Sequence, residues 1–66
     1  MEPKFPHVEV NLTGQDGNAF AIIGNVQTAM QKAGVDQKDI AVFRDEAQTG
    51  DYDHLLQTAM RTVTVN

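Results

Sequence analysis

Three groups of residues in this 66-residue chain have types and spacings that could do chemistry. The first is the run Leu12-Thr13-Gly14-Gln15-Asp16-Gly17-Asn18-Ala19-Phe20. Gly14 and Gly17 allow backbone conformations closed to other residues, and Asn18 is of the type that caps a helix N-terminus. Such a loop turns several N–H groups toward one place at the positive end of a helix dipole. Gln15 and Asn18 would read the polar edges of a ligand there, and Phe20 would stack on it. Asp16 works against a bare phosphate, and no Lys follows Gly17, so the loop is not a GxxxxGK[ST] phosphate cradle. Its plainer reading is a tight strand-to-helix connection with a proper cap.

The second group is Gly50-Asp51-Tyr52-Asp53-His54. Two carboxylates and an imidazole could hold a divalent ion or exchange protons. Acidic residues are expected at a helix start for dipole reasons alone, however, and Asp51 is needed as the cap. The remaining pair, Asp53 and His54, points about 100° apart on a helix, which suits metal capture poorly. No metal site or cofactor is therefore expected. Tyr52 and His54 instead offer an aromatic, hydrogen-bonding surface to a ring, a base or a partner chain. The alternative is Tyr52 packed over the helix start and His54 in solvent. The third candidate is Arg61, whose planar fork could neutralise an anion. If the last strand runs antiparallel to the first, Arg61 lies beside Thr13 and Gly14. If it runs parallel, Arg61 falls near the N-terminal arm and the composite site disappears.

The elements that must position these groups follow from hydrophobic period. Residues 1–6 hold both prolines and read as an irregular arm. From His7 to Thr13 the chain alternates, with Val8, Val10 and Leu12 on one face, as in a half-buried strand. Phe20, Ile23, Val26, Met30 and Ala33 then form an apolar helix stripe that Gly34 stops. Gly24 inside that helix costs roughly 1 kcal/mol relative to Ala, which points to a crossing helix packed against it. Asp36 caps a second helix with Ile40, Phe43 and Ala47 inward, ended by Gly50. Asp51 caps a third, with Leu55, Leu56, Ala59 and Met60 inward. Thr62-Val63-Thr64-Val65 closes the chain as a strand. The fold class is α+β: one domain over 1–66, in the order β-α-α-α-β, with paired terminal strands covered on one face by three short helices.

Size and charge narrow the function. A chain this short builds one small core near the lower limit of independent stability. With no cysteine, neither disulfides nor thiolate metal sites can supplement it. A homo-oligomer, a dimer first of all, is the natural source of extra buried surface, and a free strand edge could pair with a second copy. Nine Asp and Glu stand against five Lys and Arg, and the cations are scattered. That composition argues against nucleic-acid binding, which needs clustered cations. No apolar run reaches membrane-spanning length and no signal-peptide pattern opens the chain, so the expectation is a soluble cytoplasmic protein.

The motifs DGNAF and GDYDHLL, within a pattern running from about Val8 to Val65, resemble a family of small, uncharacterised proteins of bacterial and phage genomes. The resemblance implies no catalytic residues. Its phage association implies a small inhibitor that grips a host protein or sequesters a nucleotide signal. Two readings stand. The first is a non-enzymatic binder of an anionic, nucleotide-like ligand, using Gly14, Gln15, Asp16, Gly17, Asn18, Phe20, Tyr52, His54 and Arg61. The other is a protein-interaction module docking through its acidic surface or a strand edge. An enzyme is the weakest reading, since no nucleophile has a neighbouring base.

Overall fold

A computed structural model of the chain describes residues 2–11 and 18–66. The element order is β1 (Phe5–Val10), α1 (Ala19–Lys32), α2 (Gln37–Ala47), α3 (Tyr52–Thr62) and β2 (Val63–Val65). This is the α+β arrangement expected from the sequence, with the terminal strands paired and the helices packed against them.

The strands pair in parallel, with Phe5 opposite Val63, Glu9 opposite Thr64 and Val10 opposite Val65. Parallel pairing needs a long crossover, and here the crossover is the whole helical part of the chain. The register slips between Phe5 and Glu9, where β1 spends extra residues against one step of β2. The N-terminal segment is therefore not an irregular arm throughout, because the ladder begins at Phe5. Two hydrogen bonds hold it: Lys4 N–H donates to the Arg61 carbonyl (2.8 Å), and the Thr64 hydroxyl donates to the Pro6 carbonyl (2.8 Å). Pro6 is tolerated because it lies in the slipped part of the ladder, where a missing N–H breaks no regular pairing. Val8 and Val10 are buried and Glu9 is exposed, the alternation of a half-covered strand.

Each helix starts and stops where its side chains dictate. Asn18 Oδ1 accepts from Ala21 N–H (2.8 Å), Asp36 Oδ1 from Lys38 N–H (3.0 Å), and Asp51 Oδ1 from His54 N–H (2.9 Å). These bonds satisfy N–H groups that the helices leave unpaired. At the far end of α1, Val35 N–H donates to the Met30 carbonyl and Gly34 N–H to that of Gln31. That double closure requires a left-handed residue, and Gly34 supplies it with φ 82°. Helix α3 passes into β2 without a loop, at the β-branched run that begins with Thr62.

The core joins Val8 and Val10 to Ile22, Ile23, Val26, Met30, Ile40, Phe43, Ala47, Leu55, Ala59 and Val63. Two expected stripes are rotated. In α1 the buried positions are Ile22, Ile23, Val26 and Met30, so Phe20 lies two residues, about 200°, from Ile22 and is 84% exposed. Ala33 is exposed as well. In α3 the buried positions are Leu55, Thr58 and Ala59, leaving Leu56 half-buried and Met60 52% exposed. Thr58 can replace an apolar residue inside because its hydroxyl donates to the His54 carbonyl (2.8 Å). Nor does a crossing helix account for Gly24: a Cβ built there meets nothing within 4 Å.

Candidate functional site

Helix α1 and helix α3 both begin at the same end of the molecule, beside the C-terminal end of α2. Between these three ends lies a cavity of about 260 Å³. Ala19, Ile23, Ala47 and Leu55 give it apolar walls, and Gln48, Gly50 and Asp51 form its polar part. Phe20 and Tyr52 complete the lining. They are two of the four exposed large apolar side chains among the described residues, at 84% and 47% exposure. The cavity thus unites the two sequence motifs, with Ala19 and Phe20 from the first and Gly50, Asp51, Tyr52 and Leu55 from the second. No Lys or Arg is among its lining residues.

Phe20 stands outward because the helix phase leaves it no choice. The cap at Asn18 fixes where α1 starts, and burial of Ile22, Ile23 and Val26 fixes its rotation. Tyr52 occupies the first helical position of α3, immediately after its cap Asp51. Both rings are therefore set by capped helix starts rather than by long loops. Asn18, expected to read a ligand's polar edge, has its Oδ1 engaged by Ala21 N–H.

His54 does not join this cavity. Its ring turns into the junction between α2 and α3, with Nε2 3.0 Å from the Glu46 carbonyl and 3.2 Å from Thr49 Oγ1. The Thr49 hydroxyl donates to the Glu46 carbonyl (2.8 Å) and the Thr58 hydroxyl to the His54 carbonyl. Those hydroxyl protons are committed, so both oxygens face the ring only as acceptors. The Nε2 atom is therefore the protonated nitrogen, an assignment made from the network. His54 caps a carbonyl at the end of α2 and ties the two helices together. Gly50 makes room for the ring, since a Cβ there would fall 2.8 Å from His54 Cγ. Asp53 Oδ2 accepts from Gln57 Nε2 (3.0 Å) one turn on. Among the described residues no group of three or more His, Cys, Asp or Glu side chains could hold a metal ion.

Arg61 sits at the opposite end of the sheet from the close of β1. Its carbonyl accepts from Lys4 N–H, and β2 then runs alongside β1 toward Val10. Parallel pairing thus sets Arg61 beside the N-terminal segment, the case in which the sequence reading has no composite site with Thr13 and Gly14. Gly14, Gln15, Asp16 and Gly17 lie outside the described residues. The contributions of Ile23, Ala47 and Gln48 to the cavity escape a reading of the sequence, because they come from two separate segments and carry no chemical signal of their own. Comparison with protein families, curated proteins and solved structures gives no match.

Proposed function

We propose that this chain is a non-enzymatic interaction module that docks on a partner protein by taking one of its apolar or aromatic side chains between Phe20 and Tyr52. The observation that carries this reading is the exposure of both rings at the mouth of one apolar cavity. Aromatic residues with few rotamers are the usual anchors of protein interfaces, and contact with a partner would cover them. At about 260 Å³ the cavity falls below the roughly 300–1,000 Å³ typical of small-molecule sites, yet it accommodates a side chain. The chain carries a formal charge of −4, and the cavity has Asp51 but no cation. The complementary segment therefore presents its apolar residue beside Lys or Arg.

Selection of random peptides displayed on phage tests this directly. Peptides with an aromatic or large aliphatic residue flanked by basic residues are expected. They should lose binding to Phe20→Ser and Tyr52→Ser variants whose circular dichroism matches the parent. Selected peptides that bind Phe20→Ser as well as the parent would overturn the reading. The second reading, sequestration of a planar nucleotide-like ligand, keeps Phe20 and Tyr52 as stacking groups. It loses Arg61 as counter-charge, so a neutral ring fits better than an anion. Native mass spectrometry of protein purified gently from cells would reveal such a ligand as added mass.

A further inference from the structure

Helix α3 carries an apolar row that the core leaves at its margin. Tyr52, Leu56 and Met60 recur at intervals of four, so they follow one another down a single flank of the helix, each turned only about 40° from the last. Tyr52 and Met60 are exposed and Leu56 is half-buried. Leu55, Thr58 and Ala59 bury the neighbouring face, so the row lies beside the packed face and opens to solvent. It adjoins the aromatic cavity at Tyr52 alone, since neither Leu56 nor Met60 lines that cavity. A polar row runs alongside, displaced by one residue: Asp53, Gln57 and Arg61, all exposed. Gln57 Nε2 donates to Asp53 Oδ2 (3.0 Å), which holds the carboxylate on this flank. Arg61 forms no side-chain ion pair among the described residues.

Asp53 and Arg61 stand four residues before and four residues after Gln57. A two-fold axis through Gln57, perpendicular to α3, therefore brings Asp53 of one chain level with Arg61 of another and repeats the pair on the far side. We propose that the occupant of this flank is α3 of a second copy of the chain, packed antiparallel about Gln57. The charges choose the direction, because a parallel pair would set Asp53 against Asp53 and Arg61 against Arg61 of the partner subunit. They also choose the register, because an axis at Asp53 or at Arg61 would oppose like charges. The apolar row fits that register independently. With a rise of about 1.5 Å per residue, Tyr52 lies about 7.5 Å before the axis, Leu56 about 1.5 Å before it and Met60 about 4.5 Å beyond it. In the second copy these heights are reversed. Met60 then enters midway between Leu56 and Tyr52 of the partner subunit, as a ridge enters a groove, and the partner's Met60 does the same here. One patch meeting itself twice is what a two-fold interface requires. Tyr and Met are also residue types that interfaces favour. With three apolar side chains from each chain the contact is smaller than a standard interface, so association belongs to concentrated protein.

Two single charge reversals on the full chain test interface, direction and register together. Sedimentation equilibrium of the parent should show the dimer at concentrations up to about 1 mM. Asp53→Lys and Arg61→Glu should each weaken it about tenfold, because each sets like charges together at two symmetric positions. Mixed in equal amounts, the two variants should associate as well as the parent. Each reversed charge then faces the reversed charge of the other chain, and each retained charge faces its retained partner. Neither chain has to reverse both of the charges that the α3 dipole favours. Met60→Lys should remove the dimer while its circular dichroism in dilute solution matches the parent. A parent that stays monomeric at about 1 mM would overturn the proposal. So would a mixture that associates no better than its components, or a dimer of full strength in Met60→Lys. A dimer lost in Phe20→Ser but kept in Met60→Lys would move the interface to the aromatic cavity and overturn the proposal as well.

Discussion

If His54 is a bracket and not a ligand-binding residue, its removal must appear as lost stability, and that loss must be coupled to Gly50. Truncation to Ala removes the Nε2–H bond to the Glu46 carbonyl, worth about 1 kcal/mol net. It also removes the packing of a ring whose side chain is only 32% exposed. Loss of roughly 40 Å² of apolar contact adds about 1 kcal/mol. Ala is the better helix former by about 0.5 kcal/mol, which leaves a net destabilisation of about 1.5 kcal/mol. For a domain of this size that lowers Tm by about 6–12 °C. Gly50→Ala on its own should cost about 1–2 kcal/mol, because the new Cβ would lie 2.8 Å from His54 Cγ and 2.9 Å from His54 Cβ. The ring would have to leave the Glu46 carbonyl. Truncation removes the contacts with Cγ and Cδ2 but keeps Cβ at 2.9 Å, and Gly50 has no positive φ to make Ala strained there. Gly50→Ala should thus cost less in a His54→Ala background than in the parent, a coupling of about 0.5–1 kcal/mol. Urea unfolding of the four proteins, followed by far-UV circular dichroism, measures all the terms. Additive changes, or a His54→Ala variant as stable as the parent, would refute the bracket and return His54 to the surface.

Other substitutions have equally definite outcomes. Gly24→Ala should stabilise the fold by up to about 1 kcal/mol, because the helix gains a better former and the added Cβ meets nothing within 4 Å; a lower urea midpoint would show that something crosses there. Gly34→Ala should cost about 1–2 kcal/mol, since φ 82° forces a side chain into the left-handed region; thermal unfolding measures it. Met30 and Met60 should differ sharply. Met30→Ala empties a fully buried site and should cost about 2–5 kcal/mol, whereas Met60→Lys, at 52% exposure, should change stability by less than about 0.5 kcal/mol. Equal losses at the two positions would show that the phase of α3 is wrong.

The features legible in the sequence are those that local physics decides. Asn18, Asp36 and Asp51 are all caps, and Gly34 is the left-handed stop, because each satisfies backbone groups within a few residues of itself. Ile40, Phe43 and Ala47 are buried as their spacing requires. Helix phase was harder to read. Phe20 and Ile23 share a spacing of three, yet Ile22 completes the buried face and Phe20 is left out, a choice made by the sheet rather than by the helix. Met60 lost its place to Thr58, because a hydroxyl that can bond the preceding turn is no longer a costly group to bury. Strand direction was open in the sequence and settles as parallel, which sets Arg61 beside Lys4 at the start of β1. The aromatic cavity was half legible: both motifs point toward it, but only the meeting of three helix ends shows that Phe20 and Tyr52 share it.

The disposition of the three phenylalanines shows what the fold leaves unused. Phe43 is 3% exposed, and Phe5 packs against the core from the start of β1. Phe20 alone stands in solvent. Burying a phenylalanine contributes about 1.5–3 kcal/mol. In a chain of this length that is a large fraction of the whole stability. The fold forgoes it at a position set by a capped helix start, next to a second exposed ring and an apolar cavity. The same burial energy then becomes available on association, when a partner's side chain covers both rings at once. An exposed apolar residue scattered singly on a surface needs no such account. Phe20 and Tyr52 are not scattered: they line one cavity at one end of the molecule.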